Sequence, residues 1–330
     1  MQSEFILFCG TASRELGGRI ARLLEQKPGA CVIDRFPDGE VNIHLEEPVR
    51  ARDVYLVQST CPPVDQNLVE LLALADACRR AGAARVTAVV PYFGYGRGDK
   101  RNGRRAPIMG SMIANLMEAV GVGHLLAVDL HAPQIEGFFS IPVDSVTAMP
   151  ALCNAVQDDL LERTVVVSPD EGRVKSATEV ALRLHAPLAV LHKERRTGGA
   201  CRITHVVGDV RDRPCLIVDD MISTGGTIIE AAEALLNAGA QPNLQVVATH
   251  PVFAGDAQER LKQPAIKRIV VADSIPLKKE VSPIVKVVSL APLMAAAIRR
   301  FRAGESLADL YQQVIHSGLE DVVSHTSRAN

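Results

Sequence analysis

Short runs of β-branched and other apolar residues alternate along the chain with longer stretches in which Ala and Leu recur at helical spacing. This is the pattern of βα units built around mostly parallel sheets. The runs that predict strands are 5–9, 54–57, 86–90 and 125–128 in the first half, and 165–167, 188–191, 215–218, 246–248 and 269–271 in the second. Several end in polar or Gly/Pro-rich turns: Pro91-Tyr92-Phe93-Gly94, Asp129-Leu130-His131, Ser168-Pro169-Asp170 and Asp219-Asp220. Ligands of open α/β sheets sit beyond the carboxyl ends of strands, so the chemistry is expected at these turns. An Ile141-Pro142-Val143-Asp144 turn and the Met149-Pro150 pair place a boundary near residue 148, with a new helix from about Ala151. The expected organisation is an N-terminal domain 1–148, a C-terminal domain 149–311 and a polar tail 312–330.

Composition narrows what such a protein binds. With 36 Lys and Arg against 38 Asp and Glu, no global field draws it to nucleic acid or an anionic membrane, and any anion site has to be local. Trp is absent and aromatic residues make up 4% of the chain, which leaves little for base stacking. The apolar runs fall well short of the ~20 residues that span a bilayer, and Glu4 stands where a secretory signal would carry basic residues. The 7 cysteines are scattered without the short paired spacing of zinc sites, and fit free thiols in a reducing cytosol. A cytoplasmic protein with small-molecule partners, and with neither nucleic acid nor membrane among them, is expected.

The sharpest local signal is Cys215-Leu216-Ile217-Val218-Asp219-Asp220-Met221-Ile222-Ser223-Thr224-Gly225-Gly226-Thr227, followed by helical spacing over 228–236. An apolar strand delivers two carboxylates, and a small-residue turn then opens a helix. The glycines allow a tight turn, on which backbone N–H groups and the Ser223, Thr224 and Thr227 hydroxyls converge on a phosphate at the helix N-terminus. Asp219 and Asp220 have two open uses, ribose hydroxyls or a magnesium ion, since carboxylate oxygen suits both. A strand, an acidic turn and an N-capped helix with no ligand would also fit the bare composition.

The full string resembles the phosphoribosyl pyrophosphate loop shared by type I phosphoribosyltransferases and ribose-phosphate pyrophosphokinases. First-half motifs resemble the pyrophosphokinases alone: Arg35-Phe36-Pro37-Asp38-Gly39-Glu40, Gln58-Ser59-Thr60-Cys61-Pro62-Pro63, Val90-Pro91-Tyr92-Phe93-Gly94-Tyr95-Gly96-Arg97 and Val128-Asp129-Leu130-His131-Ala132-Pro133-Gln134-Ile135-Glu136-Gly137-Phe138-Phe139. The match runs in order from about residue 5 to 311. It implies an α/β protein of two phosphoribosyltransferase-like domains, each a mostly parallel sheet flanked by helices. The implied reaction moves the β,γ-diphosphate of ATP onto the 1-hydroxyl of ribose 5-phosphate. A phosphoribosyltransferase would leave 35–40 and 129–139 unexplained, and a catalytically silent regulatory homologue would not need Lys193, Arg195, His131 and Asp170.

The resemblance assigns roles residue by residue. Phe36, Asp38, Gly39 and Glu40 would form an adenine-recognising turn that serves a neighbouring subunit, which implies a homo-oligomer built on dimers, up to a hexamer. Arg97, with Gly98 beside it, would contact ATP. His131 and Asp170 would hold the Mg2+ carried by ATP, with Asp129 close by. Lys193 and Arg195 would act on the diphosphoryl group from a flexible loop, Leu191-His192-Lys193-Glu194-Arg195-Arg196-Thr197-Gly198-Gly199, with Arg195 also reaching ribose 5-phosphate. That sugar phosphate would be held by Asp219, Asp220, Ser223, Thr224, Gly225, Gly226 and Thr227. The chain departs from the family pattern at Ser223, where an acidic residue is common, at Gly98 for a common Gln, and at Ser140 for an Asp. It departs again at Gly172-Arg173, where Gly-Gly is common, and this change bears on ribose-phosphate affinity.

Overall fold

The structure, a computed structural model, describes residues 5–101, 103–195, 201–277, 281–308 and 310. For 193–195, 201, 202 and 204 only the backbone is described, and the expected polar tail 312–330 lies outside the described residues. The chain divides into two compact units. Residues up to 147, with 274–276 and the stretch from 289 onward, form one, and 148–273 with 277–288 form the other.

In the first unit β1 (Phe5–Cys9), α1 (Arg14–Leu23), β2 (Cys31–Arg35), β3 (Val41–Leu45), β4 (Asp53–Val57), α2 (Val64–Arg80), β5 (Arg85–Val90), α3 (Met109–Ala119), β6 (His124–Val128) and β7 (Val143–Val146) follow one another. The sheet is parallel throughout in the order β1-β4-β5-β6-β7. Strands covered on both faces need continuous apolar runs, which is what these segments supply. Leu71 and Leu74 of α2, with Ile113 and Met117 of α3, close over Phe8, Leu56 and Val90. β2 and β3 stand apart as an antiparallel hairpin. The segment expected as a turn at 141–144 instead runs into a strand, because Val143–Val146 pairs with β6. Pro142 is tolerated at the mouth of this edge strand, where it needs no N–H and its carbonyl accepts the Leu125 N–H.

The second unit contains α4 (Met149–Gln157), β8 (Val165–Ser168), α5 (Val174–Arg183), β9 (Leu188–Arg195), β10 (Cys201–Val207), β11 (Cys215–Ile222), α6 (Gly226–Asn237), β12 (Leu244–Pro251), α7 (Ala257–Arg260), β13 (Ile266–Ala272) and β14 (Val285–Val288). The strand order is β10-β9-β8-β11-β12-β13-β14, parallel except for the antiparallel β9–β10 pair. Connections run outward from β8 in one direction and from β11 in the other. The order therefore reverses between β8 and β11, the kind of switch point where α/β sheets open a crevice.

The last described helix, α8 (Ala291–Ala303), packs within the first unit, although the sequence pattern groups 149–311 together. Its Phe301 ring stacks on His124 at 4.1 Å and meets Tyr55 edge-on, while the Arg302 guanidinium lies 4.0 Å from the Phe5 ring centre. His124 Nε2 lies 2.7 Å from an Asp144 carboxylate oxygen, and its Nδ1 is buried without a hydrogen-bond partner.

Burial holds the His124 imidazole below its ordinary 6.5, with Asp144 opposing. A base with a depressed folded value contributes its full stability above 6.5 and loses it as pH falls from there through the folded value. Melting temperatures followed by circular dichroism are expected to fall as pH is lowered below 6.5, and His124→Gln to flatten that fall.

Candidate functional site

The carboxyl ends of the first unit's strands are knitted together by buried polar side chains. Gln58, Ser59 and Thr60, just past β4, are almost fully buried. The Gln58 amide donates to Glu70 Oε1 (2.9 Å) and its own oxygen accepts the Ala12 N–H (3.1 Å), while Glu70 takes the Thr11 N–H and hydroxyl. Ser59 Oγ accepts the Tyr92 N–H, and Thr60 Oγ1 accepts the Gly94 N–H at 2.6 Å. This motif is therefore a brace that fixes the turn after β5 rather than a group facing a ligand.

That turn carries Arg97, which is exposed, on a single helical turn Gly96–Gly98. A Cβ on Gly98 would come within 2.8 Å of the Met109 Cβ, which accounts for glycine at this departure from the family pattern. The turn after β6 runs alongside, since a Cβ on Gly96 would touch His131 at 3.4 Å. Asp129 adopts a left-handed φ of 39° with its N–H donating to the Val146 carbonyl, and Asp129 and His131 are both half-buried. Among the described residues no three or more His, Cys, Asp or Glu side chains gather as a metal cluster.

Phe36, Asp38, Gly39 and Glu40 form the tip of the β2–β3 hairpin. Phe36 is 50% exposed rather than a core aromatic, and the whole of 35–40 is exposed. The tip is held by its own backbone. The Phe36 N–H donates to the Glu40 carbonyl, the Gly39 N–H to the Phe36 carbonyl, and the Glu40 N–H to Asp38 Oδ1.

In the second unit, chemistry-bearing residues cluster at the switch point. β11 continues two residues past the aspartates to Ile222, pairing with β12, so Asp219 and Asp220 lie within a strand and not in the turn expected from their polarity. They are 9% and 8% exposed, and Arg173 reaches both, its Nε 3.6 Å from Asp219 and its Nη2 3.1 Å from Asp220. Burial, reinforced by the neighbouring Asp220 carboxylate, pushes Asp219 well above the usual carboxylate range, and Arg173 works against that shift. Asp170 follows β8 at the start of a single turn, Glu171–Arg173, and its carbonyl accepts the Ser168 hydroxyl at 2.7 Å. Glu171 of the same turn pairs with His192 on β9.

Beyond β11, the turn 223–225 leads into α6. The carbonyls of Ile222, Ser223, Thr224 and Gly225 accept from Phe253, Ala254, Arg260 and Ile229 respectively. Protein donors thus consume the acceptors of this turn, while first-turn N–H groups such as those of Gly226 and Thr227 have no intrahelical acceptor. The result is a concentration of donors suited to an anion. Lys193 and Arg195, expected on a flexible loop, belong to β9, where the backbone pairs Lys193 with Ile203 and Arg195 with Cys201 of β10. The rest of that segment, 196–200, lies outside the described residues.

A parallel α/β unit with a donor-rich turn and an acidic strand end at its switch point is the architecture of a sugar-phosphate-handling enzyme. Residues 5–121 match the family model for the N-terminal domain of ribose phosphate pyrophosphokinase, and 200–312 match that of the phosphoribosyl synthetase-associated domain. A ribose-phosphate pyrophosphokinase of Haemophilus ducreyi is 44% identical, over 92% of this chain and 98% of its own. One from Neisseria meningitidis is 42% identical, over 96% and 97%. The crystal structure of phosphoribosylpyrophosphate synthetase from Mycobacterium smegmatis superposes with a TM-score of 0.85 at 37% identity, over 91% of this chain and 99% of that one. The chain belongs to the ribose-phosphate pyrophosphokinase family, enzymes of diphosphoryl transfer in nucleotide biosynthesis, and shares its two-domain phosphoribosyltransferase-like fold.

Gly225 sits at φ +78°, and a Cβ there would stand 3.2 Å from Leu261. Gly225→Ala is expected to cost about 1–2 kcal/mol through left-handed strain, read as a lower urea midpoint, and to weaken binding of inorganic phosphate in calorimetry.

Proposed function

We propose that the chain catalyses transfer of the β,γ-diphosphate of ATP to the 1-hydroxyl of ribose 5-phosphate, yielding AMP and phosphoribosyl pyrophosphate. The observation that carries this reading is the end of β11, where two buried carboxylates and a donor-rich turn follow one another within a few residues at the switch point. A phosphorylated sugar presents hydroxyls to the first and a dianion to the second. Asp219 and Asp220 accept from ribose hydroxyls, while the Ser223, Thr224 and Thr227 hydroxyls and the backbone of Gly225 and Gly226 take the 5-phosphate.

On the nucleotide side, the exposed tip of Phe36, Asp38, Gly39 and Glu40 recognises adenine in the site of a second copy. Its exposure supports that use. Arg97, with Gly98 beside it, reaches ATP phosphate as a permanently charged fork. Asp129, His131 and Asp170 would hold Mg2+, an ion that takes few protein ligands and fills its shell with phosphate oxygens and water. When bound, that ion neutralises charge on the polyphosphate. Lys193 and Arg195 stabilise charge on the diphosphoryl group in transit, and Arg195 also contacts the sugar phosphate. The 1-hydroxyl needs orientation and charge stabilisation more than a strong base.

Six described cysteines are free thiols, and among the described residues no helix is long and apolar enough to cross a membrane. The free thiols fit a reducing cytosol, the compartment proposed for this enzyme of small molecules.

Purified protein with ATP, magnesium and ribose 5-phosphate is expected to release AMP in a coupled assay, with phosphoribosyl pyrophosphate formed in equal amount. ATP consumption that is independent of ribose 5-phosphate would refute the reading. Lys193→Ala is expected to lower kcat by about 10³-fold or more while changing ATP affinity less than about threefold, because its charge matters in the transition state. Sedimentation velocity of active protein is expected to show a homo-oligomer, and a fully active monomer would sink the shared adenine turn.

A further inference from the structure

The carboxylate pair at the end of β11 is already matched to a cation supplied by the protein. Asp219 and Asp220 are adjacent in sequence and buried, and both are contacted by the Arg173 guanidinium, whose side chain is only 16% exposed. The contact crosses the switch point, because Arg173 closes the turn after β8 while the aspartates lie in the second half of β11, the latter of them two residues before its end. The turn that delivers it is anchored at its start. The Asp170 carbonyl is bound by Ser168, and Glu171 is paired with His192 on β9. Asp219 Oδ1 also accepts the Asp220 N–H at 2.8 Å, which fixes one carboxylate against the backbone.

A guanidinium spreads its charge over a planar fork of five donors and can face two carboxylates at once, which an ammonium cannot do with the same geometry. Each carboxylate offers about four acceptor sites, so pairing with Arg173 leaves capacity for hydroxyl donors. Two adjacent carboxylates with no counter-charge would instead repel each other, and would be relieved by a bound divalent ion or a proton.

We propose that Arg173 is a built-in counter-cation for the Asp219–Asp220 pair, a positioning residue that keeps both carboxylates aimed at the vicinal hydroxyls of ribose 5-phosphate so that sugar capture needs no divalent ion. This rests on the sugar-phosphate reading of the second unit. It follows that removing the guanidinium makes capture dependent on magnesium, and that the loss falls on the hydroxyl contacts more than on the phosphate contacts.

The test is isothermal calorimetry of ribose 5-phosphate with the full-length protein, in EDTA and in millimolar magnesium chloride. Wild type is expected to change affinity less than about threefold between the two conditions. Arg173→Gly is expected to lose about tenfold or more in EDTA, the order set by one charge-assisted contact, and to regain most of it in magnesium. Arg173→Gln keeps the bulk without the charge and is expected to behave like Arg173→Gly, which covers the case where the glycine variant folds poorly. With 2-deoxyribose 5-phosphate as a second probe, wild type is expected to discriminate by about tenfold and the variants less. Unchanged affinity in EDTA, or a loss that magnesium does not relieve, would overturn the role of Arg173 while leaving the sugar-phosphate reading intact. Wild-type protein that binds no ribose 5-phosphate under either condition overturns that reading and this proposal together.

Discussion

Placing two neighbouring carboxylates out of water at the end of a strand is the constraint around which the second unit is arranged. The strand leading to them, Cys215 to Val218, is wrapped in hydrocarbon on both faces, so the step from Val218 to Asp219 takes the chain from a low-dielectric core to a charged site within one residue. Uncompensated, that step would cost several kcal/mol. Arg173 offsets part of that charge, the Glu171–Arg173 turn positions Arg173, and contacts from Ser168 and His192 hold the turn. The donor-rich turn before α6 follows directly, its carbonyls bound by Phe253, Ala254, Arg260 and Ile229. One electrostatic requirement thus ties together the end of β8, the middle of β9 and the last residues of β11.

The first unit solves the same problem, a polar site at the rim of an apolar sheet, by different means. Its brace of Gln58, Glu70 and Thr11 is built mainly from hydrogen bonds between side chains and backbone, and most of its buried oxygens have a defined donor. Such a network resists rearrangement, because any broken bond leaves a buried group unpaired. The turn after β5, which carries the exposed Arg97, is thereby given a fixed footing.

The local features of this fold were legible in the sequence, and the features that join distant segments were not. Every strand with four or five consecutive apolar residues stood out, as did the strand, small-residue turn and helix at 215–236, because each is written in adjacent residues. The β2–β3 hairpin did not stand out, since its half-buried Cys31 and Ile33 alternate with exposed Val32 and Asp34 over only a few positions. Val143–Val146 was masked by Pro142, which an edge strand accommodates and a central one would not. Lys193 and Arg195 sit on β9 because their backbone pairs with Ile203 and Cys201 of β10, a partnership that their polar side chains do not announce in the sequence. The pairing of Arg173 with Asp219 and Asp220 is a tertiary contact, and sequence showed only that residue 173 departs from a glycine.

The place of α8 has a consequence for how the molecule is made. A ribosome delivers β1 to β7 early, yet Phe5, Tyr55 and His124 have to wait for Phe301 and Arg302, which emerge only after the second unit has been synthesised. The second unit is almost contiguous and has its strands in hand before α8 appears. The first half of the nascent chain is thus held with part of its aromatic face uncovered until α8 has followed the second unit out of the ribosome, and loss of α8 removes the cover of a face built from the chain's earliest strands.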